Sequence, residues 1–271
     1  MVHDIAMDYY RKRLAMASSD ATIKIIGVGR TPSFGSYLAS YSNDGQVIIW
    51  KEGNQNEWQH AYVFNEHKSS VNSLGWAPHE LGQCLACGSS DGYILIFTTR
   101  ADAHLVGVIS ISWEPSMAPG ALIGKGLLDP IQKLASGGCN NTIKAWKLYN
   151  RTWKMDYFLG LQMHSNWVRD VAWVPNLGLP KSTIASALYD RIVAKEGEQW
   201  ERKVLKDFNT PVWRVSWLLT GNLLVVADVN NNEILWNEVV DGEWQRVITV
   251  EPYIGCMIFY FQLISFWFFM N

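Results

Sequence analysis

The apolar positions of the chain repeat one unusual spacing: Val, two residues, an aliphatic, one residue, then Trp. It occurs at Val71/Leu74/Trp76, Val108/Ile111/Trp113, Val168/Val171/Trp173 and Val212/Val215/Trp217, with Val2/Ile5/Met7 as a copy without the aromatic. Short runs of β-branched and aromatic residues predict strands, and this one is named strand a. A second register sets an aliphatic six residues before Asp or Asn: Leu14 to Asp20, Leu38 to Asp44, Leu85 to Asp91, Leu134 to Asn140, Ile184 to Asp190 and Leu224 to Asn230. It predicts strand b and the turn after it. Six residues beyond each turn residue stands a large apolar side chain, Ile26, Trp50, Phe97, Trp146 or Trp236, which ends strand c; the fifth copy has Glu196 instead. Asp44-Gly45 and Asp91-Gly92 supply the positive φ that tight hairpins demand. More polar outer runs follow at Glu57 to Phe64, Thr152 to Leu161, Gln199 to Phe208 and Glu243 to Val250, and predict strand d.

Strands a to d in chain order make one four-stranded blade, and six copies predict an all-β fold, a six-bladed WD-repeat propeller. The anchors of strand b from Leu38 onward lie 47, 49, 50 and 40 residues apart, near the blade period of about 40 to 45. The expected domain covers 1–252, with blades at approximately 1–28, 29–65, 66–103, 104–163, 164–209 and 210–252, followed by an apolar tail at 253–271. The residues marking the repeat are Asp44, Trp50, Asp91, Phe97, Asn140, Trp146, Asp190 and Trp236.

The pattern breaks in three places. Leu14 and Leu38 are only 24 residues apart, too close to hold the outer strand of blade one and the inner strand of blade two. His104 follows Phe97 after seven residues, so blade three is expected to lack its outer strand. In blade five the step from Asp190 to the Lys-Glu-Gly at 195 is five residues, against seven from Asp44 to the same tripeptide at 51, so its strand c is expected to be short. About 20 of the 24 strands of six four-stranded blades then remain, with blades four and six complete. The expected propeller is open and partly degenerate.

Composition narrows the chemistry. A net charge of -2 gives no electrostatic reason to hold nucleic acid. The four cysteines, Cys84, Cys87, Cys139 and Cys256, are too scattered for a secreted disulfide framework. Cys84 and Cys87 form a CxxC on a predicted strand, where residues three apart face opposite ways and are poorly placed to share a metal. Phosphate loops, HExxH and GxSxG are all missing from the sequence, so the reading is of a non-enzyme with no cofactor and no metal. In WD repeats a His before strand a, a Ser or Thr on strand b, the turn Asp and the strand-c Trp form a structural hydrogen-bond network. The candidates here are His67, His104, His164, Ser89, Asp91, Asn140 and Trp146, with no full set in one blade. Asp4, Asp8 and His3 read as an edge strand rather than an acid–base group, and Arg11, Lys12 and Arg13 as a solvated hairpin. Tyr253 to Asn271 carry no charge and admit three readings: a read-through tail, a strand sealing the ring, or a membrane anchor.

The segments HKSSVNSLGWAPHELGQCLACGSSDG (67–92), ASGGCNNTIKAWKLYN (135–150), MHSNWVRDVAWVPNLGLPKSTIASA (163–187) and TPVWRVSWLLTGNLLVVADVNNN (210–232) closely resemble the Sec thirteen family, in a plant-like form. The likeness runs from Val2 to about Pro252 and fails at Gly29 to Ser36, around Arg100 to Ala103, around Asp190 to Ala194 and through the tail. The resemblance implies an open propeller that takes an extra blade from a long α-solenoid partner: the large COPII outer-coat subunit, or a subunit of the nuclear-pore Y complex. It also implies roles in endoplasmic reticulum-to-Golgi and mRNA transport and in the nutrient-sensing complex upstream of the TOR kinase, with membrane contact only through the coat. Two alternatives remain: a generic adaptor such as a ubiquitin-ligase substrate receptor, and a truncated product without function.

Overall fold

A computed structural model describes residues 2–7, 13–18, 20–27, 37–53, 57–78, 84–96, 99–102, 107–115, 132–150, 152–157, 166–175, 182–187, 191–196, 199–205, 210–218, 220–230, 232–239 and 243–250. Every regular element among them is a strand, and the strands form six antiparallel sheets, each built from one continuous stretch of chain. Blade one contains β1 (Val2–Met7), β2 (Arg13–Ser18) and β3 (Ile23–Gly27); blade two contains β4 (Tyr37–Tyr41), β5 (Val47–Glu52) and β6 (Trp58–Phe64). Blade three contains β7 (Val71–Trp76), β8 (Leu85–Ser89), β9 (Tyr93–Ile96) and β10 (Thr99–Asp102). Blade four contains β11 (Val108–Trp113), β12 (Lys133–Gly138), β13 (Ile143–Tyr149) and β14 (Thr152–Tyr157). Blade five contains β15 (Asp170–Trp173), β16 (Ser182–Ala187), β17 (Arg191–Glu196) and β18 (Gln199–Val204). Blade six contains β19 (Val212–Trp217), β20 (Leu223–Asp228), β21 (Glu233–Glu238) and β22 (Trp244–Val250).

The core follows the strand-a pattern residue by residue. Val71, Leu74 and Trp76, Val108, Ile111 and Trp113, Val168, Val171 and Trp173, and Val212, Val215 and Trp217 are all buried. Their spacing cannot arise in a regular strand, where the first and fourth positions face opposite ways. A β-bulge resolves it. The register of β7, β11 and β19 shifts after the first residue, leaving Asn72, Ile109 and Trp213 unpaired and returning the later apolar positions to the Val side, and the backbone register of β1 shifts in the same way at His3. Burying each Val, Ile or Leu of such a strand is worth roughly 1.5 to 3 kcal/mol.

The second register is equally direct. Leu14 faces Ile26, Leu38 faces Trp50, Leu134 faces Trp146 and Leu224 faces Trp236 across their hairpins. Gly45 and Gly92 both sit at φ 88° in the b–c turns. A methyl on Gly45 would also stand 2.8 Å from the carbonyl oxygen of His67, so the turn needs glycine twice over.

The expected gap between blades one and two is present: β4 takes the strand-b place, and neither an outer strand of blade one nor an inner strand of blade two occurs among the described residues. Two other expectations need correction. Blade three does have an outer strand, β10, four residues long and paired to β9 through Thr99 opposite Ile96. Blade five has a full strand c, because Ile184 faces Val193 rather than Glu196, which stands opposite Gln199 on β18. The hairpin there is three residues tighter than in the other blades, and four blades are four-stranded rather than two.

Neighbouring blades pack in chain order through their inner strands, β7 on β11, β11 on β15 and β15 on β19, while β4 packs on β7. The shared cores run between blades, as where Ala135 and Ile143 of blade four cluster with Val168, Val171 and Trp173 of blade five.

Candidate protein-binding site

The turn network forms most fully in blade three. His67 Nδ1 lies 3.0 Å from Asp91 Oδ2, with both side chains almost sealed from solvent at 4% and 8% exposure. The amides of Lys68 and Tyr93 also donate to the Asp91 carboxylate. Burial works against ionisation of Asp91, but these amides and His67 outweigh it and hold the carboxyl below the usual range. His67 Nε2 stands 3.4 Å from Cys87 Sγ, and Ser89 Oγ donates to Ser69 O and accepts the Asp91 amide.

Cys87, His67 and Asp91 therefore share the connectivity of a nucleophilic triad, but not its chemistry. Burial pushes the Cys87 thiol up to about 12 and Cys84 up to about 11, so neither forms a thiolate at neutral pH. Both thiols are free. Cys87 sits two residues after Leu85, the place held by Ser40 and Ser136 in blades two and four. There the serine hydroxyls accept the indole N–H of Trp50 at 2.8 Å and of Trp146 at 2.9 Å. In blade three the His67 ring takes the part that the tryptophan plays elsewhere, a partner that the CxxC spacing concealed. Asp44 closes its own turn through Ser42 and the Gln46 amide, and Asn140 accepts from Thr142 at 2.8 Å. Trp236 is buried in the blade-six core. Phe97, Asp190, His104, His164, Arg11, Lys12 and Asp8 lie outside the described residues.

The basic hairpin reading changes at its last member. Arg13 opens β2 and pairs with Glu52 of β5 at 2.8 Å, with both side chains mostly covered, so it joins blade one to blade two. His3 and Asp4 lie on β1, Asp4 opposite Ala17.

Joining between inner strands follows a rule that sequence reading missed. The side chain two places after the first Val accepts the amide of the next blade's aliphatic position. Ser73 accepts from Ile111, Ser110 from Val171, and Asp170 from Val215 at 3.0 Å. Asp170 is the most heavily used of these, since Ser110 Oγ and the Val171 amide also donate to it, at 2.7 and 3.0 Å. Its burial pushes the carboxyl up from the ordinary value, while Arg214 and the three donors pull the other way. In blade six the same position is Arg214, whose guanidinium has donors only and cannot accept a next strand's amide. The stitched series ends there.

Among the described residues no strand joins blades one and six, and the side-chain stitch that runs from β7 through β11 and β15 to β19 does not continue between the two ends of the chain. Edges of this kind are places where another chain adds strands. Among the described residues no group of three His, Cys, Asp or Glu is placed to hold a metal, and no helix is long and apolar enough to cross a membrane.

Comparison with known proteins agrees with this architecture. The family "WD domain, G-beta repeat" matches residues 58–98, from the outer strand of blade two through strand c of blade three. A chain in a crystal structure of the mitotic checkpoint complex superposes with a TM-score of 0.64 at 16% identity, over 91% of this chain and 79% of that one, a likeness of fold alone. "Protein transport protein SEC13 homolog A" of Arabidopsis thaliana is 57% identical over 289 residues, covering 93% of this chain and 96% of the relative. Homolog B of the same plant is 60% identical over 314 residues with the same coverage, and "Protein SEC13 homolog" of Drosophila melanogaster is 37% identical over 91% of this chain and 80% of its own. The alignments of 289 and 314 positions are longer than the 271-residue chain, so these plant relatives carry internal segments that it lacks. A WD-repeat propeller aligned to its plant relatives along nearly their whole length, with internal segments missing, belongs to the SEC13 family.

Proposed function

We propose that the chain is a non-catalytic scaffold subunit in protein transport, building the outer layer of the COPII coat on vesicles leaving the endoplasmic reticulum. It acts by assembly: a long α-solenoid partner, the large outer-coat subunit, contributes strands to the unstitched seam between blades six and one. The same mode of assembly extends to the nuclear-pore outer ring, through an α-solenoid of the Y complex. The observation that carries this reading is the 57–60% identity to two plant proteins named for protein transport, along 96% of their length.

The geometry supports the assembly step. Strand addition gives a partner main-chain hydrogen bonds without any built pocket, and the end of the stitch at Arg214 leaves blade six without an inner-strand acceptor for a following blade. Membership of the nutrient-sensing complex upstream of TOR rests on the family resemblance alone.

Proximity labelling from the tagged chain in plant cells tests the reading. The α-solenoid coat subunit should dominate the labelled proteins, with nuclear-pore Y-complex subunits behind it. Labelling dominated by cullin-type ubiquitin-ligase components would replace the coat reading with that of an adaptor.

A further inference from the structure

The bulge residues of the inner strands gather at one end of the propeller axis. The end is fixed by backbone bonds: the Val71 amide donates to Ser42 O and the Ser90 amide to Ser70 O, which sets the start of each inner strand beside the b–c turns. Bulges re-aim side chains out of the sheet, and here they reach toward the next blade. Asn72 donates to Val108 O at 2.7 Å, one blade on. Arg169 follows Val168 as Trp213 follows Val212, and its guanidinium carbon lies 4.2 Å from the centre of the Trp213 ring, again one blade on.

Three features set this corner apart. Trp213 is 47% exposed and Trp167, two residues before Arg169, is 54% exposed, which is unusual for the most costly aromatic to leave in water. Arg169 uses the face of its guanidinium on Trp213, and among the described residues no carboxylate pairs with it. Its edge N–H groups remain, in the fork that takes a carboxylate with two parallel bonds. The acids of the same end are occupied by their own turns. Asp44 is held by Ser42 and Gln46, Asp91 by His67, Lys68 and Tyr93, and Asp228 by Thr210, Asn230 and Asn232.

We infer that Trp167, Arg169 and Trp213 form a docking site for an acidic peptide segment of a partner protein. A Glu or Asp carboxylate binds the edge of the Arg169 guanidinium, and a neighbouring apolar side chain lies on the indoles. Stacking on Trp213 fixes the guanidinium plane before the ligand arrives, which lowers the entropy lost on binding. The site is formed by the segment leading into the inner strand of blade five and by the start of the inner strand of blade six, and does not depend on the seam between blades six and one, so it stands or falls separately from the coat assembly proposed above.

The test is selection of phage-displayed random 12-residue peptides on the full chain, followed by anisotropy titration of the enriched peptides in synthetic form. The expected peptides place Asp or Glu beside an aromatic or aliphatic residue and weaken as salt is raised. Arg169→Ala or Trp213→Ala should reduce their affinity by about tenfold or more, as is typical of Trp and Arg at the centre of an interface. Arg169→Lys should recover only part of it, because an ammonium keeps the charge but not the fork. Trp167→Ala, at an exposed residue outside any strand, should weaken binding with an unchanged melting temperature, so that loss of binding is separable from loss of fold. Failure to enrich peptides, enrichment of neutral or basic ones, or equal binding to the variants would each overturn the proposal. So would tight binding of a poly(U) oligonucleotide by these residues in place of peptide.

Discussion

Removing the same indole from two equivalent inner strands should have unequal consequences. In blade four the Trp113 indole N–H donates to Gly75 O of the preceding inner strand at 2.8 Å, and in blade six Trp217 does the same to Ala172 O at 3.0 Å. Trp76 holds the equivalent place in blade three, next to the position where blade two has no described inner strand. Its indole nitrogen is buried and has no hydrogen-bond partner. Trp113→Phe and Trp76→Phe delete the same atoms, so the loss of apolar packing largely cancels between them.

What remains is the polar difference. Trp113→Phe forfeits a hydrogen bond worth about 0.5 to 1.5 kcal/mol, whereas Trp76→Phe removes a buried donor whose unmet desolvation costs about 1 to 3 kcal/mol. Trp113→Phe should therefore be the more damaging by about 1.5 to 4.5 kcal/mol. At roughly 2 to 4 °C per kcal/mol for a domain of this size, the two melting temperatures should separate by at least several degrees in scanning calorimetry of the purified variants. Equal losses, or a larger loss for Trp76→Phe, would show that the Trp76 nitrogen is satisfied and that the gap beside it does not exist.

Three further outcomes follow from the same contacts. Asp170→Asn keeps one acceptor oxygen but turns an amide donor toward the Val215 N–H, and should cost about 1 to 3 kcal/mol, read as a lower urea midpoint. Gly137→Ala would place a methyl 2.7 Å from Val168 Cγ1 and 3.0 Å from Val171 Cγ1, and should cost about 1 to 3 kcal/mol through overpacking of the seam between blades four and five, with Val168→Ala in the same chain recovering part of it. The carboxyls of Asp20, Asp44, Asp91 and Asp228 are held below their ordinary value by turn hydrogen bonds. Groups with a lowered folded pKa stabilise the fold above the unfolded pKa and lose that contribution as pH falls through the folded value. Melting temperature should accordingly be flat near neutrality and fall below the ordinary carboxylate range, less steeply in Asp91→Asn.

What could be read from the sequence was whatever the period of the repeat carried. The inner-strand Val, aliphatic and Trp positions are buried as spaced, and the b–c pairing of Leu38 with Trp50 and Leu134 with Trp146 follows from counting alone. The bulge was legible too, in the odd step from Val to the next aliphatic, but a pattern read as a list of positions does not show which side each one faces. Strand β10 was missed because Thr99 to Asp102 are four polar or small residues with no apolar alternation. Strand c of blade five departs from the spacing because its hairpin closes more tightly than a count from Asp190 predicts, pairing Ser186 with Arg191.

The sites divide in the same way. His67 and Asp91 can be named from their places in the repeat, but the CxxC spacing of Cys84 and Cys87 hides that Cys87 stands where blades two and four have serine. The pairs Asp170 with Val215 and Arg169 with Trp213 join residues 45 and 44 positions apart on adjacent blades. Only the packing of inner strand on inner strand brings them together.

Assembly with an α-solenoid through the open seam is the central claim, and its most direct measurement is reconstitution. The purified chain and a plant large COPII outer-coat subunit should elute together from size-exclusion chromatography as a complex of defined stoichiometry, whose melting temperature exceeds that of the free chain. If the coat subunit instead forms such a complex with Arabidopsis SEC13 homolog A while this chain elutes alone, the account of its function is contradicted.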